Sequence, residues 1–144
     1  MPRPTGLRAP DEVVPKLGVK AGIPALRIGD VAIYDKPIEH LAGHLDRLDL
    51  DLPFRVGAAR FGLVLCFALE GIDVDLLARE LVRVTNDLGR IWVVTWKKDF
   101  IRGGAPLWEV VQERILPTGW VDNKILSFGD QCYGTQYVLR KERR

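Results

Sequence analysis

Between Phe61 and Lys98 the hydrophobic and polar positions follow three rhythms in turn, and these predict strand, helix and strand. FGLVLCFALEG is a continuous apolar run of strand length, as expected of a strand covered on both faces. In IDVDLLARELVRVTNDLG the positions Val74, Leu77, Ala78, Leu81, Val82, Thr85 and Leu88 recur at the spacing of a one-faced helix. Asp73 is placed to cap that helix, with Ile72 and Leu77 as a hydrophobic staple, and Gly89 to supply a left-handed stop. RIWVVTWKK is β-branched and aromatic and ends in two lysines, like a buried strand reaching the surface. Strands at Gly62–Leu69 and Arg90–Trp96 around a helix at Asp73–Leu88 make a parallel crossover, so an α/β domain is expected.

The remaining pattern is less regular. Residues 1–10 are rich in proline without periodicity and read as a loose arm. Asp11–Leu17 makes a short helix halted at Gly18, and Pro24–Gly29 is the next strand. The stretch Asp30–Lys36 either continues that strand or forms another. Pro37 opens a helix running to about Leu48, with Ile38, Leu41, Ala42, Leu45 and Leu48 as its apolar face. Asp49–Ala59 holds at most a short strand around Phe54–Val56. Pro106 starts a last helix that buries Leu107, Trp108, Val111 and Ile115 and ends at Pro117 and Gly119. Lys124–Phe128 and Thr135–Arg140 form a closing hairpin around the loop GDQCYG.

Composition narrows the function classes. A length of 144 residues suits one domain with its own core, spanning 1–144. With 21 basic and 19 acidic residues the net charge is +2, which argues against a dedicated nucleic-acid surface. No run is long enough to cross a bilayer, and MPRPTGLRAPDE has no apolar signal core, so a cytoplasmic protein without membrane contact is expected. Two cysteines, Cys66 and Cys132, form no disulfide framework.

The order of elements resembles the second half of class I methyltransferases that depend on S-adenosylmethionine (SAM). NDLGRIWVV stands at the family's glycine–strand step, with one glycine where two are usual, and the hairpin is that fold's usual finish. A closer resemblance is to a family of small bacterial proteins of unknown function with a degenerate methyltransferase-like, Rossmann-like fold. Its motifs match Pro15–Lys20 with Gly22, Trp96–Lys98, and Gly119–Lys124, which together reach across most of the chain. The resemblance implies a single domain, a mainly parallel sheet with helices on both faces, and a C-terminal antiparallel hairpin.

Departures from the methyltransferase pattern bear on the cofactor. A glycine-rich turn after the first strand lets backbone approach the ligand. Here Gly29–Asp30 is followed by Val31, Ala32 and Ile33, which are bulky for that turn. No strand between Leu48 and Ala59 presents a terminal acid for the ribose, and Gly62 stands where the fourth strand often begins with an acid. No cofactor is therefore expected, with SAM as the alternative. The candidate binding residues are Gly29 and Asp30, at the carboxyl end of a parallel strand, and Thr95, Trp96 and Lys97 on the neighbouring one.

No catalytic residue stands out. His40 and His44 have the i, i+4 spacing of a metal pair, but on a helix they share a face with Lys36 and Arg47, so a solvated face and no metal are expected. Ser127 lacks a glycine elbow. Cys66 reads as a core residue and Cys132 as the more exposed thiol. The leading functional expectation is a non-catalytic, methyltransferase-like domain that binds a protein or small-molecule partner. The runner-up is a methyltransferase with an atypical cofactor loop. An oxidoreductase-type nucleotide binder ranks last, since no G-x-G-x-x-G follows a strand. Oligomeric state is open, a homo-oligomer included.

Overall fold

In the computed structural model, which describes residues 3–57 and 60–144, the apolar runs organise one six-stranded sheet. The strands are β1 (Ala25–Ile28), β2 (Leu45–Leu48), β3 (Phe61–Phe67), β4 (Thr85–Trp96), β5 (Trp120–Ser127) and β6 (Cys132–Leu139). Their order is β2-β1-β3-β4-β6-β5, with β2, β1, β3 and β4 parallel and β6 antiparallel to both β4 and β5. The two strands read most clearly from sequence, β3 and β4, are adjacent at the centre. Helices α1 (Pro10–Val13) and α2 (Asp35–Ala42) lie on one face, and α3 (Val74–Val84) and α4 (Trp108–Ile115) on the other.

Alternation along the central strands feeds both layers. Leu63, Leu65 and Phe67 of β3 join Trp92, Val94 and Trp96 of β4 beneath α1 and α2. Val64 and Cys66 join Ile91 and Val93 beneath α3 and α4. Helix α3 begins as its sequence directs, with the Asp73 carboxylate accepting from Leu76 N at 3.1 Å.

Several boundaries differ from the sequence reading. The second helix stops at Ala42, where Gly43 at φ 87° closes its last turn, and Leu45–Leu48 is a strand. Asp30–Lys36 is neither a continuation of β1 nor a new strand. Gly29 at φ 101° turns the chain away, Asp35 N bonds Ala32 O, and α2 begins at Asp35. Phe54–Val56 forms no strand; part of the stretch proposed to contain it, residues 58–59, lies outside the described residues.

Helix α3 ends at Val84, before Gly89 is reached, because Thr85 already pairs with Phe61 as β4 begins. Leu63 then pairs with Arg90, so two steps along β3 match five along β4, and residues 86–89 bulge outward. Gly89 therefore serves close approach and not a left-handed stop. A Cβ there would lie 3.0 Å from Phe61 O and 3.1 Å from Asn86 O. Leu88, assigned to the helix core, is 79% exposed on the bulge.

The N-terminal arm is docked and not loose. Leu7 bridges Gly129, Arg8 N bonds Phe128 O at 2.9 Å, and Tyr34 Oη donates to Arg8 O at 2.8 Å. In the hairpin, β6 starts at Cys132, so the connecting loop is shorter than GDQCYG. No helix among the described residues is long and apolar enough to cross a membrane.

Candidate functional site

Parallel strands β1, β2, β3 and β4 deliver four loops to one edge of the sheet, the edge where open α/β folds bind ligands. The sequence placed Gly29, Asp30, Thr95, Trp96 and Lys97 there, and all five do lie at the carboxyl ends of β1 and β4.

Their surroundings are closed by protein. A Cβ on Gly29 would meet Phe67 Cβ and Phe67 O, each at 2.9 Å, so the glycine admits the neighbouring strand. Gly29 N donates to Leu48 O at 2.9 Å, and its carbonyl accepts from the Arg27 guanidinium. Arg27 is held in turn by Asp35, through Nε at 3.1 Å and Nη2 at 2.9 Å. Past the turn, Val31 and Tyr34 run inward and pack in the core with Phe67 and Phe128. The bulk of Val31 is thus accommodated by a chain that goes into the core. Burial pushes the Tyr34 phenol up to about 12.

Asp30 is exposed and paired with Arg3 of the arm, Nη2 to Oδ2 at 2.6 Å. Thr95 is buried opposite Tyr133. Trp96 is 1% exposed, donates from Nε1 to Leu69 O at 2.8 Å, and has the Arg102 guanidinium 4.6 Å from its ring centroid. That ring face is already covered by the guanidinium, so it is not open for a ligand to stack on. Lys97 N bonds Gln131 O at 2.8 Å, tying β4 to the hairpin loop.

One site element was missed. Strand β2 ends at Leu48 and is followed by Asp49, so an acid does stand at the end of the second strand, contrary to the sequence reading. The signal was Gly43, a helix-stopping glycine inside what reads as one apolar periodicity. Asp49 is exposed and, with Leu48, Asp51, Phe54 and Arg55, lines a cavity of about 140 Å³.

Other candidates sit apart from this edge. His44 follows α2 and does not share it with His40; it bonds Asp46 at 2.9 Å. Among the described residues no group of three His, Cys, Asp or Glu side chains is placed to hold a metal ion. Cys132, expected to be the more exposed thiol, is fully buried beside Trp96, and burial pushes its pKa up to about 11. Ser127 Oγ bonds Gly129 O at 3.1 Å within the hairpin turn.

Comparison with solved structures places this geometry. A SAM-dependent methyltransferase from Aquifex aeolicus superposes with a TM-score of 0.65 at 14% identity, over 91% of this chain and 89% of that one. A TehB-like SAM-dependent methyltransferase from Corynebacterium glutamicum gives 0.66 at 10% identity, over 92% and 88%. Magnesium protoporphyrin IX methyltransferase from Synechocystis, solved with bound SAH, gives 0.55 at 8% identity, over 91% and 80%. No family model matches the chain, and no curated protein matches it in sequence. The likeness is one of fold: this is a single class I methyltransferase-like α/β domain.

SAM is the cofactor that this fold suggests, and the residues fit it in part. Asp49 stands where an acid can hold ribose hydroxyls. At the β1 end the fit fails. The glycine's open side is filled by Phe67, Val31 and Tyr34 turn into the core, and Asp30 is engaged by Arg3. The 140 Å³ cavity beside Asp49 is also small against the roughly 300–1,000 Å³ of ordinary ligand clefts.

Proposed function

We propose that this chain is a non-catalytic methyltransferase-like domain that acts by binding a partner or a small ligand. The observation that carries this reading is the turn after β1. In it the side of Gly29 that a methionine group would approach lies against Phe67, and Val31 and Tyr34 are core residues. Lost contacts at that end lower affinity. One charge-assisted hydrogen bond is worth roughly 1.5–3 kcal/mol, or about one to two decades.

The test is isothermal titration of the full chain with SAM and its demethylated product, backed by a melting shift. The expected result is no binding in the low-micromolar range. Low-micromolar binding that disappears in Asp49→Ala would overturn the proposal.

A second reading, a SAM-dependent methyltransferase with an atypical cofactor loop, draws on Asp49 and the cavity beside it. Under that reading Asp49 holds the ribose and the arm moves with Arg3 to free Asp30. The same titration separates the two, since only this reading makes Asp49→Ala costly for binding.

A further inference from the structure

Two openings larger than the one beside Asp49 lie at the opposite edge, where the parallel strands begin. One, of about 620 Å³, is bounded by Lys20, Ile23, Arg60, Gly62, Leu88 and Arg90 among others. A second, of about 590 Å³, lies beside it over Trp92 and is bounded by Lys16, Lys124 and Ile125. Gly18 and Arg90 line both.

Charge is concentrated here. Five cations, Lys16, Lys20, Arg60, Arg90 and Lys124, line the pair of cavities against one carboxylate, Asp87. The whole chain carries only +2, so the rest of the molecule is net acidic. Arg3, Arg27, Arg47, Arg83 and Arg114 are in ion pairs, whereas none of these five cations is, among the described residues. Clefts lined by one sign of charge concentrate oppositely charged ligands.

Arg90 is held in the wall between the cavities. A Cβ on Gly18, at φ 82°, would lie 2.8 Å from Arg90 Nε, so the glycine is what lets the guanidinium cross the chain there. Arg90 Nη1 donates to Gln136 Oε1 at 3.2 Å, and Asn123 Nδ2 donates to the same oxygen at 2.8 Å. Two donors on that oxygen set the orientation of the amide. Its nitrogen, Gln136 Nε2, is buried and meets no acceptor among the described residues. Gln136 is the register partner of both Trp92 and Lys124, which line the second cavity, so its side chain is on that face. Gln136 lines neither cavity, so its part is to hold Arg90, which lines both.

We propose that this amino-edge cleft binds a phosphorylated small molecule, with Lys16, Lys20, Arg60, Arg90 and Lys124 around its phosphate oxygens. Ile23, Leu88 and Ile125, which are 38%, 79% and 70% exposed at the rim, meet its less polar body. The concavity favours a small ligand over a flat macromolecular surface. The stretches Pro15–Lys20 and Gly119–Lys124, 99 residues or more apart in the chain, meet here through the sheet. The assignment rests on the binding role proposed above but on a different edge, so it stands or falls separately from SAM binding.

The test titrates the full chain with pyrophosphate, ATP and adenosine at low and raised salt. Pyrophosphate and ATP are expected to bind and to raise the melting temperature, and added salt to weaken both. Lys20→Gln with Lys124→Gln, both exposed, should weaken binding about tenfold or more while melting is unchanged without ligand. Lys36→Gln with Lys98→Gln, which removes equal charge elsewhere on the surface, should leave binding intact. Absence of pyrophosphate and ATP binding at millimolar ligand would overturn the proposal. So would equal losses in the two double variants, or adenosine binding as tightly as ATP. Asp49→Ala should not affect these ligands, and its effect on SAM alone reports on the other edge.

Discussion

Gly29 and Phe67 are in contact across β1 and β3 so closely that a Cβ on the glycine would lie 2.9 Å from the phenylalanine carbonyl oxygen. Gly29 also has φ 101°, a conformation strained for any L side chain. A backbone carbonyl in a central strand cannot shift to make room. Gly29→Ala is therefore expected to destabilise the fold by about 1–3 kcal/mol, measured by urea denaturation. A Gly29 variant that loses a ligand must accordingly be read against its own melting curve. A fully stable Gly29→Ala would contradict the packing described here.

Glu80 and Arg83 clamp the loop before β3 to α3. Glu80 accepts from Phe54 N at 2.9 Å and from Arg83 Nε at 2.6 Å, while Arg83 Nη2 donates to Phe54 O at 2.9 Å. The Arg83 hydrogen bonds, helped by the one from Phe54, hold the Glu80 carboxyl below its ordinary range, against the opposing effect of burial. A lowered folded-state pKa stabilises fully above the unfolded value of about 4.3, and the contribution is lost as pH falls through the folded value. Glu80→Gln should cost about 1–3 kcal/mol at neutral pH and make stability less sensitive to acid in that window. Parallel denaturation curves from pH 6 down to about pH 3 check it.

What was legible in the chain follows from locality. The β3–α3–β4 crossover could be read because each element carries its own period over seven or more residues and Asp73 supplies its own cap. Strand β2 could not. It is four residues long, and Leu45 and Leu48 continue the helical spacing of Ile38, Leu41 and Ala42, so only the conformation of Gly43 separates the two elements. Missing β2 also hid Asp49. The five residues named at the carboxyl edge were correctly placed at strand ends, but Phe67 and Arg3, which close on Gly29 and Asp30, are distant in sequence and could not be foreseen. The amino-edge cleft was invisible for the same reason, since Lys16, Arg60, Arg90 and Lys124 come together only once the sheet is built.

A charge inside a strand separates two kinds of position in this sheet. Arg27 of β1 is 9% exposed and survives there because the Asp35 carboxylate takes its guanidinium and also accepts from Arg47 Nε at 3.0 Å. Asp35→Ala leaves that cation buried without its partner and should cost about 3–5 kcal/mol. Val93 of β4 is 2% exposed in the layer beneath α3 and α4, among apolar side chains. Val93→Asp should abolish cooperative folding, since an unpaired buried carboxylate is large against a stability of roughly 5–15 kcal/mol. A cooperatively melting Val93→Asp protein would refute the central position of β4.

The two thiols give a readout of the core that needs no substitution. Cys66 is fully buried in β3 and Cys132 in β6, and burial pushes their pKa values up to about 12 and about 11. Burial outweighs Lys97, which opposes the shift at Cys132. The thiolate is the reactive form, so at pH 8 no more than about a thousandth of Cys132 is ionised, and access to it is blocked as well. Both cysteines should resist a thiol-reactive dye in the folded protein and react together on global unfolding, at a rate set by opening of the sheet. The same shifts make stability pH-dependent on the alkaline side. A folded pKa raised above the unfolded value of about 8.5 contributes fully below that value. That contribution is lost as pH rises through the folded values, so melting temperature should fall between about pH 8.5 and 12. Labelling of Cys132 at neutral pH, fast and without unfolding, would show that β6 opens on its own and that its pairing with Trp96 is not part of a cooperative core.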